Sequence, residues 1–264
     1  MNDQVWNQRR AGWILGGLCW VLLAAGCQSP DQASLERGQE LIVSQEWEQA
    51  IGHLDEAIRQ SPESSLAFEL RGTARLELRR FAAAAADFEQ ARKLAPADFR
   101  RHADLARSQL EQGNVAQAVA ACDEAIALND RNAAALLLRA KACLGDDRAA
   151  EALLDIDRLL AIEPTSAAGW TLRGAAQYRL GQDAQAEQDL NRAIEHDDAN
   201  ANAYWTRAQV RARLARPAEA AADRARARQL NPALELTDSG GGRSLLDGLR
   251  GASGTRDNLD PRLK

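Results

Sequence analysis

The chain has 264 residues, of which 45% are hydrophobic and 27% charged, and its formal net charge is −5 at pH 7. These values are typical of a folded protein and exclude collagen-like chains, disulfide scaffolds and strongly basic nucleic-acid-binding proteins. Ala (54), Leu (35) and Arg (30) dominate the sequence, which has only 12 aromatic residues. Because Ala, Leu and Arg lose little rotamer freedom in a helix, the composition predicts an all-α protein and excludes a β sandwich or barrel.

Residues 1–26 have the features of a secretory signal peptide. Arg9 and Arg10 precede an uncharged, Leu-rich stretch over residues 11–26. A helix of that length spans about 24 Å, which is shorter than the roughly 30 Å hydrocarbon core of a bilayer. A cleaved signal is therefore favoured over a transmembrane helix. The alternatives are an ordinary signal peptide and an uncleaved anchor, each with an unrelated Cys.

The stretch ends in Leu-Ala-Ala-Gly-Cys at residues 23–27, which resembles the lipobox of bacterial lipoproteins. Ala24 stands where that family usually has Leu. The resemblance implies that Cys27 is acylated, palmitate included, and becomes the first residue of a short tether over residues 27–30. Paired acyl chains give stable membrane attachment. Gln28 is not the Asp that retains such lipoproteins in the inner membrane, so the resemblance implies the periplasmic face of the outer membrane. Inner-membrane and soluble periplasmic locations are the alternatives.

The remainder of the chain repeats with a period of 34 residues and without gaps. The period divides it into units 1–6, which are residues 31–64, 65–98, 99–132, 133–166, 167–200 and 201–234. Position eight of the unit is Gly or Ala in every copy, and position thirty-two is Pro or Asp. Position twenty is always Ala: Ala50, Ala84, Ala118, Ala152, Ala186 and Ala220. A heptad coiled coil does not explain such a period, so the sequence predicts a repeat array.

These residues resemble the tetratricopeptide repeat (TPR), a helix-turn-helix unit with small residues where its helices cross. Position seven departs from the family's Leu and is Arg in five units, with Leu105 as the exception. The resemblance implies a right-handed helical solenoid of twelve helices. Position twenty-four is expected to pack into the next unit, and it is apolar in five units: Leu54, Phe88, Cys122, Ile156 and Leu190. Arg224 at this position in unit 6 predicts that the array ends there with a polar face.

The sequence contains no pattern that indicates catalysis. His53, His102 and His196 fall in separate units at different positions, and no metalloprotease, nucleophile-elbow or phosphate-loop motif is present. We therefore expect no enzymatic activity, catalytic residue, metal, cofactor, small-molecule substrate or nucleic-acid partner.

Two cysteines remain in the repeat array, Cys122 in unit 3 and Cys143 in unit 4. Their positions predict that they lie close together, and an oxidising periplasm permits a disulfide. Two buried free thiols are the alternative.

In TPR proteins the first helix of each unit lines a concave groove, which the resemblance makes the expected protein-binding surface. Positions two, five, nine and twelve form one helical stripe, and position thirteen adds charges. Acidic side chains predominate near unit 2 and basic ones near unit 6. The predicted binding cluster consists of Leu137, Lys141, Leu144, Tyr178, Arg179, Trp205, Gln209 and Arg213. Apolar anchors beside cations suit a peptide that carries a hydrophobic residue and a carboxylate.

Trp205 is expected to be exposed in this groove, because neighbouring Tyr204 occupies the packing position, unless the C-terminal tail covers it. The alternative is that position twelve is packing between first helices and that the charges are a solvated rim. The set of Lys, Asn and Arg that clamps chaperone C-termini is absent, so binding of those termini is not implied.

Residues 235–264 lose the repeat and begin with a Gly-rich flexible segment. Residues 244–250 carry three Leu and predict either a short capping turn, a docking motif or a disordered stretch.

A solenoid without catalytic chemistry on a lipid tether indicates a scaffold for envelope proteins or their peptide segments. In overall plan the chain resembles the type IV pilus pilotin lipoproteins, which help secretin subunits assemble in the outer membrane. A generic periplasmic scaffold is the first hypothesis, a pilotin the second, and a regulatory subunit of an envelope enzyme the third.

Overall fold

The fold is known from a computed structural model, which describes residues 30–232. These residues form twelve α-helices and no strand. The signal segment, Cys27 and the tail with its predicted capping turn lie outside the described residues. The helices are α1 Pro30–Val43, α2 Trp47–Gln60, α3 Ser65–Glu77, α4 Phe81–Leu94, α5 Phe99–Glu111, α6 Val115–Leu128, α7 Ala133–Gly145, α8 Ala149–Ile162, α9 Ala167–Arg179, α10 Asp183–His196, α11 Ala201–Arg213 and α12 Pro217–Leu230. None of them is long and apolar enough to cross a bilayer.

The turns between consecutive helices contain residues that set where the next helix begins. The side chain at position thirty-four of each unit accepts a hydrogen bond from a backbone N–H in the first turn of the next helix. It thereby caps the first helix of the following unit, which is α3, α5, α7, α9 or α11. Position fifteen has a positive φ in all six units, although it is Gly only at Gly113 and Gly181. Both features recur with the repeat, so local backbone geometry supports the 34-residue period.

The small residue at position eight is required by the side chain at position twenty-four of the same unit. A Cβ added to Gly72 would lie 2.8 Å from a ring carbon of Phe88, and one added to Gly174 would lie 2.6 Å from Cγ of Leu190. Phe88 also belongs to a core cluster with Leu105 of the next unit, as predicted. Position twenty-four therefore closes its own hairpin and joins the core of its neighbour.

Consecutive units stack so that the first helices form an inner layer. Each second helix packs against the first helix of the next unit, as α2 does on α3 and α10 on α11. First helices of neighbouring units also touch, for example α5 with α7 and α9 with α11, and second helices approach one another less closely. The array therefore curves with its first helices on the inside.

A ladder of buried ion pairs joins the units through the Arg at position seven. Arg139 binds both carboxylate oxygens of Asp155, the residue at position twenty-three of its own unit, with Nε–Oδ2 at 2.7 Å. It also donates to Asp123 at position twenty-five of the preceding unit, at 2.6 Å. The hydrogen bonds that Arg139 donates to the Asp155 carboxylate are the leading reason that the pKa of Arg139 is raised. The same contacts recur for three further arginines, which are Arg71 with Asp87 and Asp55, Arg173 with Asp189 and Asp157, and Arg207 with Asp223 and Asn191.

Unit 3 shows what replaces a rung of the ladder. Its position seven is Leu105 and its position twenty-three is Ala121, and both are buried in one apolar cluster. Glu89, which would have been the partner at position twenty-five of unit 2, instead binds Arg92 on its own helix at 2.8 Å. The Arg and its Asp are therefore absent together, as expected for groups that are buried only as a pair.

We predict that Asp155→Ala destabilises the fold by about 3–5 kcal/mol, because it leaves the Arg139 guanidinium without its buried carboxylate. Asp123→Ala removes a half-exposed partner and is expected to cost at most about 1 kcal/mol. The pair Arg139→Leu with Asp155→Ala copies unit 3 and is expected to lose less than Asp155→Ala alone. Urea unfolding followed by circular dichroism measures the three values, and a double variant less stable than Asp155→Ala would contradict the model of paired burial.

The two repeat-array cysteines are free and buried, so the disulfide interpretation was wrong. Cys122 fills the position-twenty-four site beside Phe88, whereas Cys143 belongs to a different cluster with Ile156. Each thiol is thus held by its own packing. Burial raises the pKa of Cys122 to about 12 and also raises that of Cys143.

We expect neither thiol to react with Ellman's reagent in the folded protein at pH 8, because a raised pKa depletes the reactive thiolate and burial blocks access. The measurement uses the mature chain with Cys27→Ala, without reductant. Two thiols are expected to appear after unfolding in urea. Their absence under those conditions would establish a bridge and overturn the assignment of free thiols.

Candidate functional site

The inner surface of units 4–6 brings together most of the predicted binding cluster. Leu137, Lys141, Tyr178, Arg179 and Gln209 are half-buried, so part of each side chain is accessible. Arg213 is exposed. Two members of the predicted cluster, Leu144 and Trp205, lie elsewhere.

Trp205 is buried, with only 3% of its surface exposed, and the expectation that it forms an exposed anchor was wrong. It belongs to a small cluster with Ala227 of α12. Tyr204 is the half-exposed member of the pair, and the guanidinium of Arg207 lies 5.4 Å from the centre of its ring. The two adjacent aromatics therefore take the opposite roles to those predicted, because the indole faces the core and the phenol ring faces the arginines.

Leu144 is fully buried in the core between α7, α8 and α9, so it is also not a groove residue. Ile42 and Leu76 occupy the equivalent position in units 1 and 2 and are buried as well. Tyr178 is the half-buried member of this row in unit 5. The position-twelve stripe thus consists mainly of packing between units, which was the alternative interpretation.

Arg179 and Arg213 reach back to the preceding unit and are not free cations. Arg179 donates to the backbone oxygen of Leu144 and lies 3.3 Å from an Asp147 carboxylate oxygen. Arg213 donates to the backbone oxygen of Tyr178 and, through Nε, to Asp183 at 2.7 Å. The Asp183 hydrogen bond is the main cause of the raised pKa of Arg213. Both guanidiniums satisfy carbonyls at the C-terminal end of the neighbouring first helix, where cations are favourable.

The guanidinium of Arg213 also covers an apolar anchor. Its central carbon lies 3.8 Å from the centre of the Tyr178 ring. This cation–π contact holds the ring in one orientation. Tyr178 is therefore an ordered, half-buried part of the inner surface.

Sequence reasoning missed an ion pair that neutralises the acidic start of the groove. Glu69 at position five of unit 2 is only 4% exposed and lies 3.1 Å from the guanidinium of Arg101. Glu77 is 3.4 Å from Arg107 in the next unit. An Arg at position three or nine of the unit that follows an acidic inner residue was the available signal. The predicted gradient of charge along the groove is thus largely balanced between neighbouring units.

Lys141 differs from the arginines of this surface. In the part of the chain that the structure describes, its ammonium makes no ion pair. Burial lowers its pKa, while the Glu111 carboxylate on α5 raises it and nearby Arg107 lowers it further. Lys141 is therefore a half-buried cation on the inner surface.

The described residues offer no group of three or more His, Cys, Asp or Glu side chains able to hold a metal ion. His102 is buried, with Nε2 at 3.0 Å from the backbone oxygen of Pro96 and Nδ1 at 2.9 Å from Glu124. These contacts fix the ring within unit 3 and the preceding turn. The chemistry that the inner surface supplies is apolar contact and charge, which suits recognition of a peptide.

Comparison with known proteins agrees with this fold. No curated protein matches the sequence significantly. Type IV pilus biogenesis factor PilW has 17% identity and a TM-score of 0.68, over 84% of this chain and 100% of that one. PilF of Pseudomonas aeruginosa has 15% identity and a TM-score of 0.65, over 84% and 97%. Cut9, in the APC/C hetero-tetramer Cut9–Hcn1, has 16% identity and a TM-score of 0.68, over 82% of this chain, which spans only 42% of that match. At these identities the likeness shows the fold alone.

A family model described as tetratricopeptide repeat matches residues 35–99 and 103–167. These segments cover most of units 1–4, and the same helical hairpin continues through units 5 and 6. The described residues thus form a helical repeat solenoid that resembles those of tetratricopeptide repeat proteins.

Proposed function

We propose that the protein is a lipid-anchored scaffold that binds envelope proteins, or peptide segments of them, through the inner surface of units 4–6. One observation carries the proposal. Leu137, Lys141 and Tyr178 are half-buried on the first helices of units 4 and 5, whereas most of the other large apolar side chains of the described residues are used in packing between helices. A tetratricopeptide repeat fold is typically a protein-interaction scaffold, which supports the same conclusion.

The lipid anchor is the second part of the proposal and rests on the lipobox-like residues 23–27. Only two residues separate Cys27 from Pro30, where α1 begins. At about 3.5 Å per residue, an acylated Cys27 lies within roughly 10 Å of α1. Unit 1 then sits against the lipid surface, and units 4–6 present their inner face farther along the array. The proposed location is the outer membrane, facing the periplasm.

A pilotin-like role in secretin assembly is the second candidate. It is favoured by two solved structures of proteins with pilus names, PilW and PilF, because this chain spans nearly the whole length of both. An acylated Cys27 followed directly by six repeats would also match the overall plan of the type IV pilus pilotin lipoproteins. Identification of a secretin among the captured partners distinguishes this role from that of a general scaffold.

The binding surface is tested by two Leu→Ala variants in the same unit. Leu137→Ala removes an inner-surface anchor and is expected to reduce partner capture at least about fivefold. Leu154→Ala removes a side chain that is 68% exposed on the second helix α8, and capture is expected to stay within about twofold. Affinity capture from detergent-solubilised envelopes, with quantitative mass spectrometry, measures both, and circular dichroism confirms that each variant is folded. Equal loss in the two variants, or no loss in either, would exclude the inner surface as the binding site.

The anchor is tested by two Cys→Ala variants. Cys27→Ala is expected to abolish labelling by radioactive palmitate and to move the protein out of the detergent phase, because the acceptor thiol is gone. Cys19→Ala changes a Cys inside the signal segment and is expected to leave both properties intact. Detergent-phase partition and membrane fractionation on a sucrose gradient provide the measurements. Normal lipid labelling of Cys27→Ala would show that the anchor assignment is wrong.

A further inference from the structure

The two ends of the repeat array carry opposite charges. Unit 1 has eight acidic residues and two Arg, which gives a formal charge of −6, whereas unit 6 has seven Arg and two acidic residues, which gives +5. Each of the four units between them has a formal charge between −3 and +1. The charge of the array is therefore concentrated at its ends and is opposite in sign there.

Inside the array, one pair of faces joins a unit to the next. Positions twenty-four and twenty-eight of a second helix share a core cluster with positions six and ten of the first helix that follows. At the junction of units 4 and 5, this cluster contains Ile156 and Leu160 together with Leu172 and Ala176. The equivalent clusters contain Leu54 with Leu70 and Ala74 at the junction of units 1 and 2, and Leu190 and Ile194 with Val210 at that of units 5 and 6.

At the ends of the array the same positions are charged, and the described residues supply no further unit to pack on them. In unit 6, positions twenty-four and twenty-eight are the half-buried Arg224 and Arg228, which we call the open face of unit 6. In unit 1, positions six and ten are the exposed Glu36 and Glu40, which we call the open face of unit 1. Arg and Glu thus stand where the three junctions above have apolar residues.

The two open faces also match in spacing. The residues of each pair are four positions apart on one helix, which is about 6 Å of rise. Arg224 has no carboxylate within ion-pair distance in the part of the chain that the structure describes. Glu40 pairs with Arg37 at 2.6 Å, but both side chains are more than half exposed. Because an exposed pair contributes little to stability, Glu40 can exchange Arg37 for a cation of another molecule.

We propose that the open face of unit 6 binds the open face of unit 1 in a second copy of this chain, with Arg224 and Arg228 against Glu36 and Glu40. Complementary charge argues for this partner, and the equivalent faces already join consecutive units within one copy. The contact is head-to-tail, so it leaves one open face at each end of a pair and further copies can add in a row. It lies away from the inner surface of units 4–6 and goes beyond the proposed function.

Sedimentation velocity of the full mature chain with Cys27→Ala measures this association. Species larger than the monomer are expected to increase with protein concentration in about 0.1 M NaCl. They are expected to diminish in about 1 M NaCl, because the Debye length falls from about 10 Å to about 3 Å. A chain that stays monomeric at every concentration in the lower salt would overturn the proposal, and this is the result expected if the C-terminal tail covers the open face of unit 6.

Charge reversal assigns the contact to the two faces. The double variants Arg224→Glu with Arg228→Glu, and Glu36→Arg with Glu40→Arg, are each expected to weaken self-association at least about tenfold, because like charges then meet. An equimolar mixture of the two is expected to associate again, because the first keeps a normal unit 1 face and the second keeps a normal unit 6 face. Circular dichroism confirms that each variant is folded.

Arg226→Glu is the matched control on α12. Arg226 lies outside the open face, with its guanidinium 5.9 Å from the centre of the Tyr204 ring. This variant is expected to associate like the unreversed chain. An equal loss in Arg226→Glu, or a mixture of the two folded double variants that stays monomeric, would show that these faces do not form the contact. Partner capture by the inner surface is expected to be unchanged in all of these variants, so the two proposals fail separately.

Discussion

The bidentate contact between Arg at position seven and Asp at position twenty-three is the interaction that sets how units 2, 4, 5 and 6 of this solenoid stack. In unit 4 one guanidinium binds Asp155 within its own hairpin and Asp123 in the hairpin before it. The planar, rigid guanidinium thereby fixes the relative positions of α6, α7 and α8. Since desolvation of both ions opposes the attraction, the ladder specifies how the units stack more than it adds net stability. Unit 3 is consistent with this view, because Leu105 and Ala121 maintain the stack without a charge.

The ladder also explains why the inner surface is free to vary. Positions seven, eight, twenty-three and twenty-four supply the contacts that fix one unit on the next. The side chain at position five differs from unit to unit: it is buried at Glu69, Ala103, Thr171 and Trp205, and half-buried at Leu35 and Leu137. A protein of this kind can therefore change its recognition surface while it keeps the same stack.

The sequence predicted the period, the six units and the helix pairs, because small residues and helix stops recur at fixed positions. It could also have predicted the ladder, since Arg at position seven accompanies Asp at position twenty-three in units 2, 4, 5 and 6 and both are replaced in unit 3. The exposure of Trp205 was mispredicted because two adjacent aromatics compete for one site in the core, and helical spacing does not decide which one enters. The engagement of Arg179 and Arg213 was also missed. Their reach to a carbonyl of the preceding unit depends on the geometry between units, which a stripe of positions does not contain.

Unit 4 lacks the arginine that caps the preceding first helix in units 5 and 6. Position thirteen carries Arg in units 5 and 6, and each Arg crosses to the first helix of the unit before it. In unit 4 the same position is Gly145, which has no side chain to cross toward α5. Position nine of that unit is Lys141, and the charges that act on its ammonium are those of Glu111, which raises its pKa, and Arg107, which lowers it. The contact between first helices that recurs at units 5 and 6 is thus absent at unit 4, where Lys141 is the inner-surface cation instead.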